Sequence, residues 1–90
     1  MEFEFDAKKS ARNKEKHGVD FVEAQLMWED KNEVSYQVLV SPESRFLRLV
    51  RYKRKIWAIV YTIREPNIRL ISVRRARKDE EKIYGQDKEH

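Results

Sequence analysis

Ninety residues, of which 40% are charged and 40% hydrophobic, predict one domain over residues 1–90 with a thin core, because a chain this short buries only about 60–65% of its unfolded surface. With no cysteine and two histidines, disulfides, thiol nucleophiles and thiolate metal sites are excluded. The net charge of +4 hides a strong asymmetry: residues 45–78 hold twelve Lys/Arg against Glu65 alone, whereas residues 19–43 hold six Asp/Glu against Lys31. Such a basic stretch, nine of its twelve cations being arginine, suits a polyanion, although a merely solvated basic face would look the same.

In chain order, Phe3 and Phe5 alternate with Glu2 and Glu4 and predict a short half-buried strand. Asp6 is an N-cap for a helix from Ala7 to about Lys16, with Ala7 and Ala11 as its packing stripe and Gly18 as its stop. Asp20, with Glu23 three residues on, caps a second helix whose inner face is Phe21, Ala24, Gln25 and Trp28, widened by Val22 and Leu26. From Glu33 the period changes to two, putting Val34, Tyr36, Val38 and Val40 on one strand face. Arg45 to Tyr52 forms the next strand, Lys53-Arg54-Lys55 a hairpin tip, and Ile56 to Ile63, apolar on both faces, the central strand. After Pro66-Asn67, Ile68 to Val73 forms another strand. Strict alternation puts Arg75 with Arg69, Ile71 and Val73, and Arg74 with Ile68, Leu70 and Ser72. A charged helix from about Arg77 to Tyr84 ends at Gly85, leaving 85–90 as a frayed tail. The order β-α-α-β-β-β-β-α predicts an α+β fold, an antiparallel sheet of four to five strands with helices on one face.

The Met1–Asp6 segment lacks the basic and apolar regions of a signal peptide, and no apolar run reaches the length of a membrane span. The expected compartment is the cytoplasm, with no membrane partner. The two glycines cannot build a phosphate-cradling loop, and no cofactor is expected. What remains is metal-free chemistry on a phosphodiester, carried by Arg, Lys, His, Glu and Tyr. RNA supplies its own nucleophile, the 2′-OH, so a protein need only align the strand, neutralise the phosphorane and move two protons.

Three segments then carry a resemblance. Phe3-Glu4-Phe5-Asp6 with Lys8, Asn13, Lys16-His17-Gly18-Val19 and Phe21-Val22-Glu23-Ala24 resembles the N-terminal pattern of the BrnT toxins. Arg45-Phe46-Leu47 with Arg51, and Tyr61-Thr62 with Arg64, resemble its middle. Ile68 to Ala76, with Glu80 and Tyr84, is similar to its ending. Phe5 stands where Trp is usual and Ala7 where Pro is. The resemblance implies a RelE-like fold, ribonuclease activity and neutralisation by a BrnA-type antitoxin. It also implies a dimer or a complex of two toxins with two antitoxins, contacting operator DNA only through the antitoxin.

The site expected on this basis has His17, Arg64, Arg74, Arg75, Glu80 and Tyr84 as catalytic candidates, and Lys8, Lys16, Arg51, Tyr52, Arg69 and Arg77 as RNA-binding ones. His17 is either a general acid or base or a helix-end residue complementing the macrodipole. Lys8 and Lys16 either grip phosphate or solvate their helix. Among Arg64, Arg74 and Arg75, one binds the scissile phosphate and another pairs with Glu80 or an acidic block. Glu80 and Tyr84, one turn apart, are an acid–base pair or simply pack the last helix. Trp28 and Trp57 are core residues, and Tyr52 offers a stacking face. The leading reading is a metal-independent endoribonuclease toxin. The alternatives are a non-catalytic RNA- or partner-binding module and a co-repressor acting with its antitoxin.

Overall fold

The computed structural model describes residues 2–40 and 42–87. The elements follow the expected order: β1 (Glu2–Glu4), α1 (Ala7–His17), α2 (Phe21–Met27), β2 (Val34–Leu39), β3 (Arg45–Tyr52), β4 (Lys55–Arg64), β5 (Asn67–Arg75) and α3 (Lys78–Asp87). They form one five-stranded sheet in the order β1-β5-β4-β3-β2, so the apolar Ile56–Ile63 run does occupy the centre. The sheet is mixed, not antiparallel as expected. Tight connections force β2 to β5 to alternate in direction, whereas β1 is followed by helices and runs parallel to β5.

Local signals explain the helices. The Asp6 carboxylate accepts the N–H groups of Lys8 and Lys9 at 2.8 and 3.3 Å, and Gly18 closes α1 with φ +81°, a left-handed conformation that favours glycine. Asp20 accepts the Glu23 N–H at 2.8 Å and opens α2. The packing stripe of α1 differs from expectation. Ala7 and Ala11 are exposed, and Ser10 and Asn13 are buried instead. Ser10 Oγ accepts the Phe21 N–H at 2.9 Å, so polar geometry rather than apolar area joins α1 to α2. Val22 and Leu26, expected to widen the apolar face of α2, are 63% and 61% exposed.

Helices cover both faces of the sheet, not one. On the first face, Phe21, Ala24 and Met27 of α2 pack with Val50, Trp57, Ile59, Leu70 and Val73. On the second, Tyr84 of α3 packs with Leu47, Leu49, Ile56 and Ala58. α3 continues through Gly85 to Asp87; residues 88–90 of the expected frayed tail lie outside the described residues. A register shift beyond Gln37 interrupts the expected alternation of β2, and Val38, Leu39 and Val40 are all exposed.

A second irregularity sets the functional surface. Val60 pairs with Ser72 but Tyr61 with Leu70, so Ile71 is an extra residue, a bulge in β5. It reverses the expected facing of the arginines. Arg75, paired with Trp57, lies on the first face with Ile68, Leu70 and Val73, whereas Arg69 and Arg74 share the second.

Candidate nucleic-acid interface

β1 pairs with β5 only as far as Arg69, which leaves the β5 edge open beyond that point. α1 fills the gap. The Asn13 carboxamide accepts the Val73 N–H at 3.1 Å and donates to the Val73 carbonyl at 2.8 Å and to the Val19 carbonyl at 2.7 Å. A side-chain amide thus takes the place of a neighbouring strand at Val73. Beside this junction an open groove of about 280 Å³ runs between α1 and the bulge, with Ile71 and Ser72 on one wall and Lys9, Arg12, Lys16 and His17 on the other. None of those four side chains has a hydrogen bond or ion pair among the described residues.

Of the expected site residues, the groove takes Lys16 and His17. Lys8 is exposed on the same helix but does not line it. Arg75 is exposed two residues past Val73, its guanidinium 5.7 Å from the Trp57 ring centre, with no carboxylate partner. Arg74 lies on the opposite face and donates two bonds to Glu80, at 2.8 and 2.9 Å. Hydrogen bonding from Arg74, backed by the Arg77 N–H, holds the Glu80 carboxyl below its ordinary value of 4.5, and Glu80 in turn raises the Arg74 guanidinium above its ordinary value. Tyr84 is buried and its hydroxyl donates to Asp30 at 2.7 Å. Asp30 also accepts the Arg51 N–H at 2.8 Å, and the exposed Arg51 guanidinium is 5.7 Å from the Tyr84 ring. Arg77 is exposed.

The expected site residues therefore do not meet in one cleft. Arg64 pairs across the sheet with Asn67, and Arg74 lies seven residues further along β5, roughly 20 Å at strand rise. Arg64 is bound to Glu43 at 3.1 Å and Arg69 to Glu4 at 2.8 Å; the bond from Arg69, with one from Asn67, holds the Glu4 carboxyl below its ordinary value. Tyr52 is half-buried, donates to Glu23 at 3.0 Å and packs on the first core. Trp28 and Trp57 are core side chains, as expected, with Arg48 lying 4.2 Å over Trp28. Sequence reasoning missed Lys9 and Arg12. Their spacing with Lys16, one helical stripe beside Asn13, was the available signal, but it needed Asn13 recognised as the buried residue. Among the described residues no three His, Cys, Asp or Glu come together to hold a cation, and no helix is long and apolar enough to cross a membrane.

A mixed sheet with helices on both faces and an unneutralised basic groove defines a small α+β protein with a surface suited to polyanions. A family model described as ribonuclease toxin, BrnT, of type II toxin–antitoxin system matches residues 5–80. The chain belongs to the BrnT family, whose description implies RNA as substrate and an antitoxin as partner. No individually curated protein matches the chain.

Proposed function

We propose that the chain is a metal-independent endoribonuclease toxin, a single domain of RelE-like fold neutralised in the cytoplasm by a BrnA-type antitoxin. In this reading a base removes the proton of a ribose 2′-OH and O2′ attacks the adjacent phosphorus. The P–O5′ bond then breaks, an acid protonates the leaving O5′, and a 2′,3′-cyclic phosphate remains. The observation that carries the reading is His17, in a chain of a ribonuclease toxin family, standing at a groove beside three unpaired cations. An imidazole can move protons near neutral pH, and guanidinium and ammonium groups lining the groove stabilise developing phosphorane charge. Arg75 and Arg77, free of carboxylates, are the remaining candidates for phosphate contact. Arg74, Glu80 and Tyr84 act by fixing α3 against the sheet. Lys8, Arg51, Tyr52, Arg64 and Arg69 contribute to RNA affinity at the periphery. The complex with antitoxin, a dimer or two toxins with two antitoxins, reaches operator DNA only through the antitoxin.

The test is incubation of purified protein with end-labelled RNA in EDTA. Cleavage that persists, leaves cyclic phosphate ends and falls by about 10²-fold or more in His17→Ala supports the reading; cleavage abolished by EDTA or unchanged in His17→Ala overturns it. One observation favours the second reading, a non-catalytic RNA- or partner-binding co-repressor: Arg64, Arg69 and Arg74 are each committed to a carboxylate. That reading predicts RNA retained intact.

A further inference from the structure

We propose that the α1–β5 groove is a binding subsite for the sugar–phosphate backbone of single-stranded RNA, with Lys9, Arg12 and Lys16 each contacting phosphate. The inference rests on RNA being the ligand, and it adds Lys9 and Arg12, which no reading of the sequence had assigned. Residues 9, 12 and 16 follow the three- and four-residue spacing that stacks side chains on one helix face, so their charged ends line the groove at successive turns. Like charges at this spacing weaken a helix. Cations in a first turn oppose the macrodipole, and α1 has no acidic residue in its first turn. Asp6 attracts Lys9 and Arg12 at longer range, but no carboxylate forms an ion pair with Lys9, Arg12 or Lys16 among the described residues. Asp6 is committed to the N–H groups of Lys9 and Lys8, and Glu15 forms no ion pair among the described residues.

α1 therefore carries a repulsion that serves no contact within the fold, next to a groove that the fold takes care to keep open. β1 stops at Arg69, Asn13 closes the β5 edge at Val73, and the interval between them, Ile71 and Ser72, becomes the wall. Four arginines elsewhere, Arg48, Arg64, Arg69 and Arg74, have carboxylates within 3.3 Å, whereas none of the three groove cations does among the described residues. An extended polyanion supplies in the groove what acidic side chains supply there. Single-stranded RNA fits better than duplex because one helix stripe offers a single line of cations.

Binding is read by fluorescence anisotropy on the full chain with a 2′-O-methyl RNA strand, which cannot be cleaved. Lys9→Ala/Arg12→Ala weakens binding by about tenfold and lowers the log–log salt slope by about 1.4, the share of two phosphate contacts on a single strand. Both residues are exposed and without side-chain partners, so the variant keeps the wild-type circular dichroism. Lys31→Ala/Lys82→Ala removes the same charge from exposed positions outside the groove and leaves the slope unchanged. Equal slopes for the two double variants overturn the subsite. So does a polyglutamate peptide that matches RNA in affinity and loses it in the groove variant, because the groove then takes an acidic protein segment. The cleavage assay separates the two proposals: groove-dependent binding without cleavage sinks the ribonuclease reading alone, and cleavage with groove-independent binding sinks the subsite alone.

Discussion

Glu80 is one of three carboxylates in the first turn of α3, yet it alone of the three is buried. Asp79 and Glu81 remain in water and complement the helix dipole cheaply. Glu80 has left water, and what stabilises it there is a two-pronged bond from Arg74 with the Arg77 N–H as a third donor. Its folded pKa is thereby depressed below 4.5, so the folded state binds fewer protons than the unfolded one near that pH. The stability from this pair is fully present above the unfolded value and is lost as pH falls through the depressed folded value. Glu80→Gln should destabilise the protein by about 2–3 kcal/mol at neutral pH, since one partner of a mostly buried pair is left uncompensated. Urea melts of both proteins across pH should show the gap constant above about pH 5 and shrinking below it. A gap independent of pH would mean that side-chain shape, not charge, holds the contact.

At the scale of elements, the placement of β1 and α1 side by side along β5 explains why some of the fold was legible and some was not. Caps, the Gly18 stop and the doubly apolar central strand are local signals, and Asp6, Asp20 and Ile56–Ile63 carry them in the sequence itself. The parallel pairing of β1, the position of α3 and the bulge at Ile71 are decided by which element reaches an open edge or face first, and no local pattern encodes that. The arginine facing was misread for the same reason, since one extra residue reverses every side chain beyond it. The groove was half legible: the Lys16-His17 pair stood out, but Lys9 and Arg12 gain meaning only when Asn13 is known to grip β5. That grip predicts a cost. Asn13→Ala leaves the Val73 N–H and carbonyl and the Val19 carbonyl without their partner inside the protein. At about 1–3 kcal/mol for each unsatisfied buried group, discounted because water can enter from the open groove, the loss should be about 3 kcal/mol. Hydrogen exchange at Val73 should accelerate before that of Ile59 in the central strand; equal acceleration at both would argue that Asn13 supports the whole sheet rather than its edge.

At the scale of the molecule, the sheet is covered by two unequal layers, and the smaller one is held by the Glu80–Arg74 pair and one buried aromatic, Tyr84. The first face has α2 over an extensive apolar cluster, whereas the second has α3, whose Tyr84 is 1% exposed. The Tyr84 ring packs among Leu47, Leu49, Ile56 and Ala58, and its hydroxyl donates to Asp30 in the turn after α2. The bond to Asp30 ties α3 to the segment between α2 and β2. Substitution can separate the ring packing from that bond. Tyr84→Phe keeps the ring and loses the bond to Asp30, whose carboxylate retains the Arg51 and Asn32 N–H groups, so its cost should be about 1 kcal/mol. Tyr84→Ala also opens a cavity under α3, at about 3–5 kcal/mol, a large share of the roughly 5–13 kcal/mol that a chain of this length holds in total. Because Glu80 and Tyr84 are the buried side chains of α3 among the described residues, the loss should be local: protection of α3 amides collapses while amides of β4 and β5 keep most of theirs. Uniform loss across the sheet in Tyr84→Ala would show that the two layers fold as one cooperative unit, and that α3 cannot leave the sheet while the groove on the far side stays built.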